Sequence, residues 1–366
     1  MSVPRTKVIS LATYGQLSAG NFEFVIVKVH TDEGVHGLGE VPPLPPLSPE
    51  SQQVVVTIIR DWLAPKLLGE DPFNLERIWE KMDFVAPTYP MSKAPLDIAL
   101  YDIMGKSLGV PVHRLLGGSD RKRFPNVGLI GIGSTEQVTA DSVGMVEEGY
   151  GGLRLKIRPK KDVGNVEALR DGVGYGVNLR VDCNQAYSPH GAIRAIKAME
   201  RYEIELVEQP TAWWDFKALG DVARAVDTPI MPHESVFLMS DVKSLIDLGA
   251  MGVLGLKMYR PGGGITSARR LLDMAKVMGI PCLLHDDVEL GVSLAAAAHF
   301  IAARHRDLKF DAELSGYGDM IGDDVVTPIL KKEKGHFEVP QGPGLGVELD
   351  EEKMKKYARE TITIQM

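Results

Sequence analysis

The feature that most constrains this chain is a series of eight short apolar segments that begins near residue 124. Each segment except the last is followed by a helical pattern, and this alternation predicts parallel strands joined by right-handed crossovers. A closed barrel is the architecture that such a series most readily forms. The predicted strands are Asn126–Gly131, Gly152–Ile157, Asn178–Asp182, Glu205–Glu208, Thr228–His233, Gly252–Lys257, Ile280–His285 and Leu308–Glu313.

The first third of the chain has a different pattern, with strands before helices. Alternating apolar residues predict a strand at Phe22–His30 and a hairpin partner at Val35–Glu40. The next segment, Val41–Glu50, is rich in proline, which breaks helices and strands alike, so a loop is expected there. Helical patterns follow at Ser51–Leu68, Asn74–Met82 and Ser92–Leu108.

Together these patterns predict an α/β protein in which a (β/α)7β TIM-type barrel carries an α+β capping domain. We divide the chain into an N-terminal capping domain at residues 1–123, a catalytic barrel at 124–330 and a tail at 331–366 that returns to the capping domain. The length of 366 residues suits a barrel of roughly 200–250 residues with a second unit.

Composition excludes several classes of protein. The formal net charge of −8 lacks the basic footprint of a nucleic-acid binder. The two cysteines, Cys183 and Cys282, are too few for a disulfide framework. The chain shows no apolar leader and no apolar stretch long enough to span a bilayer. We therefore expect a cytoplasmic protein with neither a nucleic-acid nor a membrane partner.

Charged or polar side chains stand at the ends of the second to eighth predicted strands, at intervals of 23 to 28 residues. Active sites of such barrels lie at the carboxyl ends of the strands, so these side chains are expected to converge on one mouth. Side chains two positions apart on a strand share a face, which groups Lys156 with Arg158 and Asp182 with Asn184. The remaining strand-end residues are Glu208, Glu234, Lys257, His285 and Glu313.

Three of these residues, Asp182, Glu208 and Glu234, are carboxylates whose mutual repulsion calls for a bound cation. Oxygen ligands on a rigid scaffold, with room for water and substrate, suit Mg²⁺. The alternative is that each carboxylate forms a separate salt bridge at the barrel rim. Three acids at successive strand ends favour the metal site.

Two lysines, Lys156 and Lys257, flank the predicted metal. A lysine acts as a base only when it is neutral, and a nearby metal and a second cation depress its pKa toward that form. The Mg²⁺ would hold a substrate carboxylate and stabilise the enediolate that remains after proton removal. For either lysine alone, a phosphate clamp or a rim charge is an equally good interpretation.

Longer motifs carry a family resemblance. They are Ala94–Asp102 with Gly105-Lys106, Leu115–Gly118, the strand end Val207-Glu208-Gln209-Pro210 and the tail Val339–Gly346. Together they resemble the enolase superfamily and, within it, the mandelate racemase and muconate lactonizing enzyme families. The resemblance covers nearly the whole chain and implies a cap-on-barrel fold, Mg²⁺ as cofactor and a homo-oligomer.

The resemblance also implies roles for single residues. Asp182, Glu208 and Glu234 fall on the metal-ligand positions, although lactonizing relatives use an aspartate where this chain has His233. Lys257, followed by Gly262-Gly263, resembles the Lys-x-x-x-x-Gly-Gly base motif. His285 falls where mandelate racemase keeps its catalytic histidine. Glu313 falls where that relative keeps a carboxyl that hydrogen-bonds the substrate carboxylate.

Departures from the family pattern shape the expected chemistry. The usual Lys-x-Lys motif reads Lys156-Ile157-Arg158 here, and arginine stays protonated, so Arg158 suits a carboxylate clamp better than a base. Asp286 and Asp287 are expected to face solvent or to orient His285. The segments Tyr14–Asn21 and Val41–Glu50 resemble the loops that close over substrate in relatives.

The expected reaction is removal of the proton α to a small-molecule carboxylate, with Lys257 as base and Lys156 and Arg158 stabilising the enediolate. His285 is the candidate acid, and Asn184 and Glu313 are candidate substrate-binding residues. An isomerase (racemase, epimerase or cycloisomerase) is the favoured outcome. A lyase that dehydrates an acid sugar or a hydroxyproline-like compound is the alternative, and a non-catalytic carboxylate-binding barrel is the third hypothesis.

Overall fold

Eight strand segments enclose the centre of the computed structural model, which describes residues 1–5, 10–11, 15–16, 21–45 and 47–365. The first five pair in parallel, as do the sixth and seventh. Backbone hydrogen bonds from Gly252 to Ile230 (2.9 Å) and from Val127 to Ala312 (2.8 Å) close the ring. The barrel strands are Gly128–Ile130, Gly152–Lys156, Asn178–Asp182, Ile204–Glu208, Ile230–Met231, Leu254–Leu256 and Cys282–Leu284, with bridges at Leu308, Ala312 and Glu313 as the eighth. The predicted (β/α)7β barrel is confirmed.

Six of the eight barrel strands are shorter than predicted, and the fifth and eighth differ most. The fifth is reduced from Thr228–His233 to Ile230–Met231, because Pro229 and Pro232 flank it and proline cannot donate to a strand ladder. The eighth, predicted at Leu308–Glu313, consists of isolated bridges. Neither difference moves the polar residues away from the barrel mouth.

Seven helices cover the outside of the barrel. Several begin where a side chain accepts a backbone N–H, as Ser134 does from Gln137 (3.3 Å) and Asp215 does from Ala218 (2.9 Å). The helices are Thr135–Glu147, Val163–Val173, Pro189–Met199, Phe216–Ala225, Met239–Asp247, Gly264–Val277 and Gly291–Arg304. Over the described ranges, no helix combines the length and the apolar character needed to cross a membrane.

Inward-facing apolar residues fill the barrel below the polar site. Leu206 and Leu283 lie two positions before Glu208 and His285, so they share the inner face of their strands. With Met231 and Val253 they form a buried cluster of their own. The polar mouth therefore rests on a packed apolar floor.

The capping domain is a hairpin with helices laid across it. Strands Val25–His30 and His36–Val41 pair antiparallel, and helix Pro90–Leu108 packs on the second strand. The approach is so close that a Cβ at Gly39 would lie 1.7 Å from the Pro95 carbonyl oxygen, so glycine is required there. The other helices of this region are Gln52–Ile58, the π-helix Ile59–Leu63, Ala64–Leu67, Leu75–Val85 and Val112–Leu115, and its short strands are Ser2–Val3, Ser10–Leu11, Gly15–Gln16 and Phe22–Glu23.

Buried carboxylates of the cap bind the start of two barrel helices. Glu40 accepts backbone hydrogen bonds from Leu290 (2.7 Å) and Ser293 (3.0 Å), where helix Gly291–Arg304 begins. Asp97 accepts from the backbone N–H (3.0 Å) and the hydroxyl (2.6 Å) of Thr266. Free N–H groups at helix N-termini favour such anions, so these contacts hold the cap over the barrel mouth.

The tail contacts both parts of the chain. Its strand His336–Glu338 pairs with Arg123–Pro125, at the start of the barrel region. Leu345 donates a backbone hydrogen bond to Asp102 (2.7 Å), and Arg359 forms an ion pair with Glu23 (2.9 Å). These contacts support the proposed three-part division, whose boundaries stay a prediction. The remaining elements are strands Val326–Thr327, Lys332–Glu333 and Glu348–Leu349 and helix Glu351–Tyr357.

Candidate active site at the carboxyl ends of the barrel strands

The strand-end residues meet in one buried group. In the parallel register Lys156 lies opposite Asp182, and Asp182 lies opposite Glu208. Eight of the nine predicted site residues are at most 5% exposed: Lys156, Asp182, Asn184, Glu208, Glu234, Lys257, His285 and Glu313. Polar groups at this depth need partners, and those partners define what the site can do.

The three predicted metal-binding carboxylates are joined in a closed triangle by shared neighbours. Arg154 donates to Asp182 (2.5 Å) and to Glu208 (3.0 Å). Asn184 donates its backbone N–H to Asp182 (2.8 Å) and its side-chain amide to Glu234 (3.0 Å). The Nδ1 atom of His233 lies 3.1 Å from Glu208 and 3.3 Å from Glu234. The sequence spacing alone suggested convergence, and these contacts show it.

The three carboxylates differ in pKa because they differ in their charged neighbours. Burial raises the pKa of Asp182, but the adjacent Lys156 and Arg154 outweigh it and hold that pKa at about 2. Burial raises the pKa of Glu208 to about 8, against the attraction of Arg154. Burial, Asp182 and Glu208 raise the pKa of Glu234 to about 7. A divalent cation that prefers oxygen ligands would offset the mutual repulsion of the three carboxylates, so this set of donor atoms fits such an ion.

A second set of potential ligands overlaps the first. Within the described part of the chain, Glu208, His233 and His285 form a group whose ligand atoms lie within 4.8 Å of one another. Arg260, whose guanidinium group offers donors and no acceptor, lies 2.9 Å from Nε2 of His233, so that nitrogen accepts the hydrogen bond. The proton of neutral His233 is then on Nδ1, which faces Glu208 and Glu234 as a donor. His233 therefore organises the carboxylates rather than offering them a lone pair.

Lys257 follows the carboxyl end of the sixth strand, and two groups contact its amine. Its Nζ lies 2.6 Å from Oδ1 of Asp287 and 3.3 Å from the Tyr259 hydroxyl, which donates to Oδ2 of Asp287 (2.6 Å). Burial lowers the pKa of Lys257, Asp287 opposes that shift, and Arg260 adds to it. The expectation that Asp286 and Asp287 face solvent or orient His285 is wrong. Asp287 turns inward to the lysine, and Asp286 is buried where it accepts from the Ser315 N–H (2.9 Å).

His285 and Glu313 form the far side of the group. His285 Nε2 lies 3.2 Å from Glu313 and 3.4 Å from Glu208. Burial raises the pKa of Glu313, but Arg154, His285 and Arg180 together lower it to about 2. Arg180, which is fully buried, donates to Glu313 (2.7 Å). Glu313 is thus a charged group already paired with arginines.

Two arginines differ from what the sequence suggested. Arg158 follows the end of the second strand with an exposed side chain, apart from the buried group. Arg154, which the sequence reasoning missed, contacts Asp182, Glu208 and Glu313 from deeper in the barrel. Its position two residues before Lys156 was the available signal, because alternate strand residues share a face.

The two segments that resemble loops closing over substrate in relatives differ in how much of each the structure describes. Most of Tyr14–Asn21 lies outside the described residues. In Val41–Glu50, Leu47 belongs to a buried cluster that includes Val288 of the loop after the seventh strand. Glu50 is anchored by the N–H groups of Met91 (2.8 Å) and Ser92 (3.0 Å). The segment therefore lies beside the barrel mouth, and its closing role stays a prediction.

Comparison with known families places this site in context. Residues 137–353 match the family described as enolase C-terminal domain-like. Residues 5–117 match the N-terminal domain of mandelate racemase / muconate lactonizing enzyme. The chain is 33% identical over 352 residues to an L-Ala-D/L-Glu epimerase of Clostridium acetobutylicum, covering 95% of this chain and 96% of the relative.

Solved structures agree with these matches. The N-succinyl-L-Arg/Lys racemase of Bacillus cereus is 31% identical over 360 residues, covering 95% of this chain and 92% of the relative. A crystal structure of that racemase matches with a TM-score of 0.91 and 28% identity, over 98% of this chain and 96% of the other. A dipeptide epimerase of Enterococcus faecalis, solved with Mg and the dipeptide L-Leu-L-Tyr, matches with a TM-score of 0.85 and 30% identity, over 95% and 97%.

The similar proteins are enzymes, and they include epimerases, racemases and muconate cycloisomerases. The expectation of an enolase-superfamily enzyme of the isomerase type is thereby confirmed at the level of the family. The matched domains cover both the cap and the barrel, as the motifs implied. This chain belongs to the mandelate racemase and muconate lactonizing enzyme family of the enolase superfamily.

Proposed function

We propose that this protein is a Mg²⁺-dependent isomerase that removes the proton α to a substrate carboxylate, with Lys257 as the base. The observation that carries the proposal is the placement of two buried lysines at the carboxyl ends of the second and sixth of eight strands. These strands lie on opposite sides of the ring, and the carboxylates of the third, fourth and fifth strand ends lie between them. A substrate bound over the carboxylates would have Lys156 on one side and Lys257 on the other.

Asp182, Glu208 and Glu234 would hold the metal, since they offer oxygen donors and share Arg154, Asn184 and His233 as neighbours. Bound Mg²⁺ would supply the positive charge that stabilises an enediolate. The E. faecalis dipeptide epimerase, which was solved with Mg, supports this choice of ion.

The chain's own residues supply the remaining chemistry. Neutral Lys257 takes the α-proton, and its burial favours the neutral form that this role requires. Lys156, ion-paired with Asp182, offers a positive charge on the opposite side. His285 is the candidate proton donor, Asn184 and Glu313 are candidate substrate contacts, and Arg158 at the exposed rim suits a distal anionic group of the substrate.

Dehydration of a hydroxy acid is the second candidate function. It is favoured by His285, a candidate acid that lies in the buried group with its Nε2 atom 3.4 Å from Glu208. A dehydratase needs one base and one acid for the leaving hydroxyl, and Lys257 with His285 meets that need. A non-catalytic carboxylate-binding barrel is the third candidate. The buried Lys257 argues against it, because a protein that only binds its ligand does not need a base.

Proton NMR in D₂O tests these functions. The Mg²⁺-loaded enzyme is incubated with dipeptides, N-acyl amino acids, acid sugars and hydroxyproline-like compounds, and an EDTA-treated sample serves as control. Loss of an α-proton signal without a new product supports the racemase or epimerase. A lactone or another rearranged product supports a cycloisomerase, and a new 2-keto acid shows a dehydratase. Absence of exchange with every compound, despite measured Mg²⁺ binding, contradicts the enzymatic proposal.

The setting of the enzyme is also proposed. Composition supports a cytoplasmic protein that takes a small-molecule substrate, and family likeness supports a homo-oligomer. Light scattering tests the second point, because a particle of 40.0 kDa would be a monomer and would contradict it.

A further inference from the structure

Asp287 is a buried carboxylate whose charge is balanced by the proposed base itself. Its Oδ1 lies 2.6 Å from Lys257 Nζ, and both side chains are less than 10% exposed. Its Oδ2 accepts from the Tyr259 hydroxyl (2.6 Å), and its Oδ1 lies 4.0 Å from His233 Nε2. Its own backbone N–H donates to Glu289 (3.3 Å). Of the described residues around Asp287, Lys257 is the one that brings a positive charge into contact.

This arrangement conflicts with the role of Lys257. To accept a proton, Lys257 must be neutral, and the described side-chain hydrogen bond that then remains to Asp287 comes from the uncharged hydroxyl of Tyr259. Arg260, whose charge also lowers the pKa of Asp287, donates its hydrogen bonds to the carbonyl oxygens of His233 (2.8 Å) and Val236 (2.9 Å). A buried carboxylate that loses the cation in contact with it is destabilised, because the charges that remain, such as that of Arg260, act from farther away. A second cation in contact with Asp287 would replace the lysine charge when the base is ready to react.

We propose that the substrate supplies this cation, and that Asp287 selects carboxylates that carry a positively charged nitrogen on the α-carbon. The inference rests on the proposed function, because it assigns a substrate class to that same site. The nitrogen belongs on the α-carbon because Asp287 lies within one ion-pair distance of the base that takes the α-proton. A charged amine there pairs with Asp287, and Lys257 loses its proton to solvent as the two cations approach.

The reaction that follows is balanced without a co-reactant. The Nζ lone pair of Lys257 takes the α-proton, and the C–H electron pair stays with the substrate as the enediolate. Lys257 is then an ammonium group again. The α-carbon later takes a proton from His285 or, in a dehydratase, the β-hydroxyl takes that proton and leaves as water. A neutral substrate would leave the Lys257–Asp287 ion pair intact and the base protonated.

Matched ligand pairs test the proposal. The probes are L-proline against (S)-tetrahydrofuran-2-carboxylate, and L-leucine against (S)-2-hydroxy-4-methylpentanoate, which differ in the charge on the α-substituent. Binding to the Mg²⁺-loaded enzyme is measured by calorimetry, and α-proton exchange is measured by NMR in D₂O. We expect wild type to bind the cationic member of each pair about 30-fold more tightly, and Asp287→Asn to reduce that preference to less than about threefold.

Two further variants make the test specific. Asp287→Glu keeps the charge and is expected to keep the preference. Asp32→Asn changes an exposed residue of the cap hairpin and is expected to leave the affinity for both ligands of each pair unchanged. Comparing each variant with wild type cancels the intrinsic acidity of the α-proton. Thermal unfolding and Mg²⁺ binding establish that each variant is folded.

The two proposals fail in different ways. If wild type binds, or exchanges the α-proton of, both ligands of a pair equally, Asp287 does not select the cation. The same conclusion follows if Asp287→Asn weakens binding of both ligands by the same factor. After either result the proposed function stands. If neither member binds or exchanges, the inference is overturned. If the wider carboxylate panel is also negative, the proposed function falls with it.

Discussion

Lys156 and Asp182 face each other on neighbouring parallel strands and form a buried ion pair. Burial alone would favour the protonated acid, but this lysine and Arg154 hold the pKa of Asp182 at about 2. One of the three proposed metal ligands is therefore already an anion at neutral pH. The other two, Glu208 and Glu234, have raised pKa values and depend on a further cation for their charge.

Glu208 is the carboxylate that both ligand sets share, so its loss is expected to disable metal binding. Glu208→Gln should lower Mg²⁺ affinity and metal-dependent turnover by more than about 100-fold, while its similar shape leaves the fold intact. Calorimetric titration with Mg²⁺ measures the first effect, and circular dichroism verifies the fold. Glu80→Gln, an exposed change on helix Leu75–Val85, is the matched control. Unchanged metal affinity would remove Glu208 from the site.

Lys257→Ala removes the proposed base. Exchange of the α-proton from at least one stereoisomer should fall by a factor on the order of 1,000, the usual share of a general base. The measurement is NMR in D₂O, with Lys243→Ala on the exposed face of helix Met239–Asp247 as control. Undiminished exchange would transfer the base role to Lys156 or His285.

Arg154 has a structural as well as an electrostatic role, because it neutralises carboxylates from three strands. Arg154→Met should lower the free energy of unfolding by about 3 kcal/mol, since breaking a buried ion pair leaves an uncompensated charge. Urea unfolding without metal measures this loss, and Arg306→Met at an exposed position is the control. Equal stability of the two variants would contradict a role for Arg154 in holding the carboxylates.

The contact between the cap hairpin and helix Pro90–Leu108 leaves no room for a side chain at Gly39. Gly39→Ala should lower the free energy of unfolding by about 3 kcal/mol, because the new methyl group collides with the Pro95 carbonyl. Gly151→Ala is the control, since a Cβ there meets nothing described within 4 Å. If both variants unfold alike, the observed packing is not essential to stability.

His299 makes the fold sensitive to acid. Burial lowers its pKa to about 4, although the hydrogen bond to the Leu345 carbonyl (3.1 Å) opposes the shift. The unfolded chain, with a histidine pKa near 6.5, then binds the proton more readily than the folded chain. Stability is therefore complete above about pH 6.5 and falls by about 3 kcal/mol as the pH drops toward 4.

Urea unfolding at several pH values checks this acid sensitivity. His299→Gln keeps a donor for Leu345 but does not titrate, so its stability should vary less between pH 6.5 and 4 than that of wild type. The buried His233 and His285 contribute in the same direction and remain in both proteins. Parallel stability curves for the two proteins would show that His299 is not the sensitive group.

Much of the site could be predicted because it follows a repeat. Parallel strands end at one edge of the barrel, so the residues at positions 156, 182, 208, 234 and 257 had to meet wherever the βα units closed into a ring. Pairings inside the site were harder to predict, because they depend on side chains that reach across strands remote in sequence. Arg154 and Arg180 illustrate this, since each joins groups more than 20 residues away.

By itself, the sequence determined the barrel, the cap and the family, because apolar periodicity and short motifs are local properties of the chain. Only the tertiary structure decided that Asp287 pairs with Lys257, that Arg158 is exposed and that Glu40 and Asp97 bind helix N-termini of the barrel. Residues in the loops that follow strands have no sequence periodicity that predicts where their side chains point. Their side chains are placed by the charges and unpaired N–H groups that folding brings beside them, and those neighbours exist only once the ring has closed.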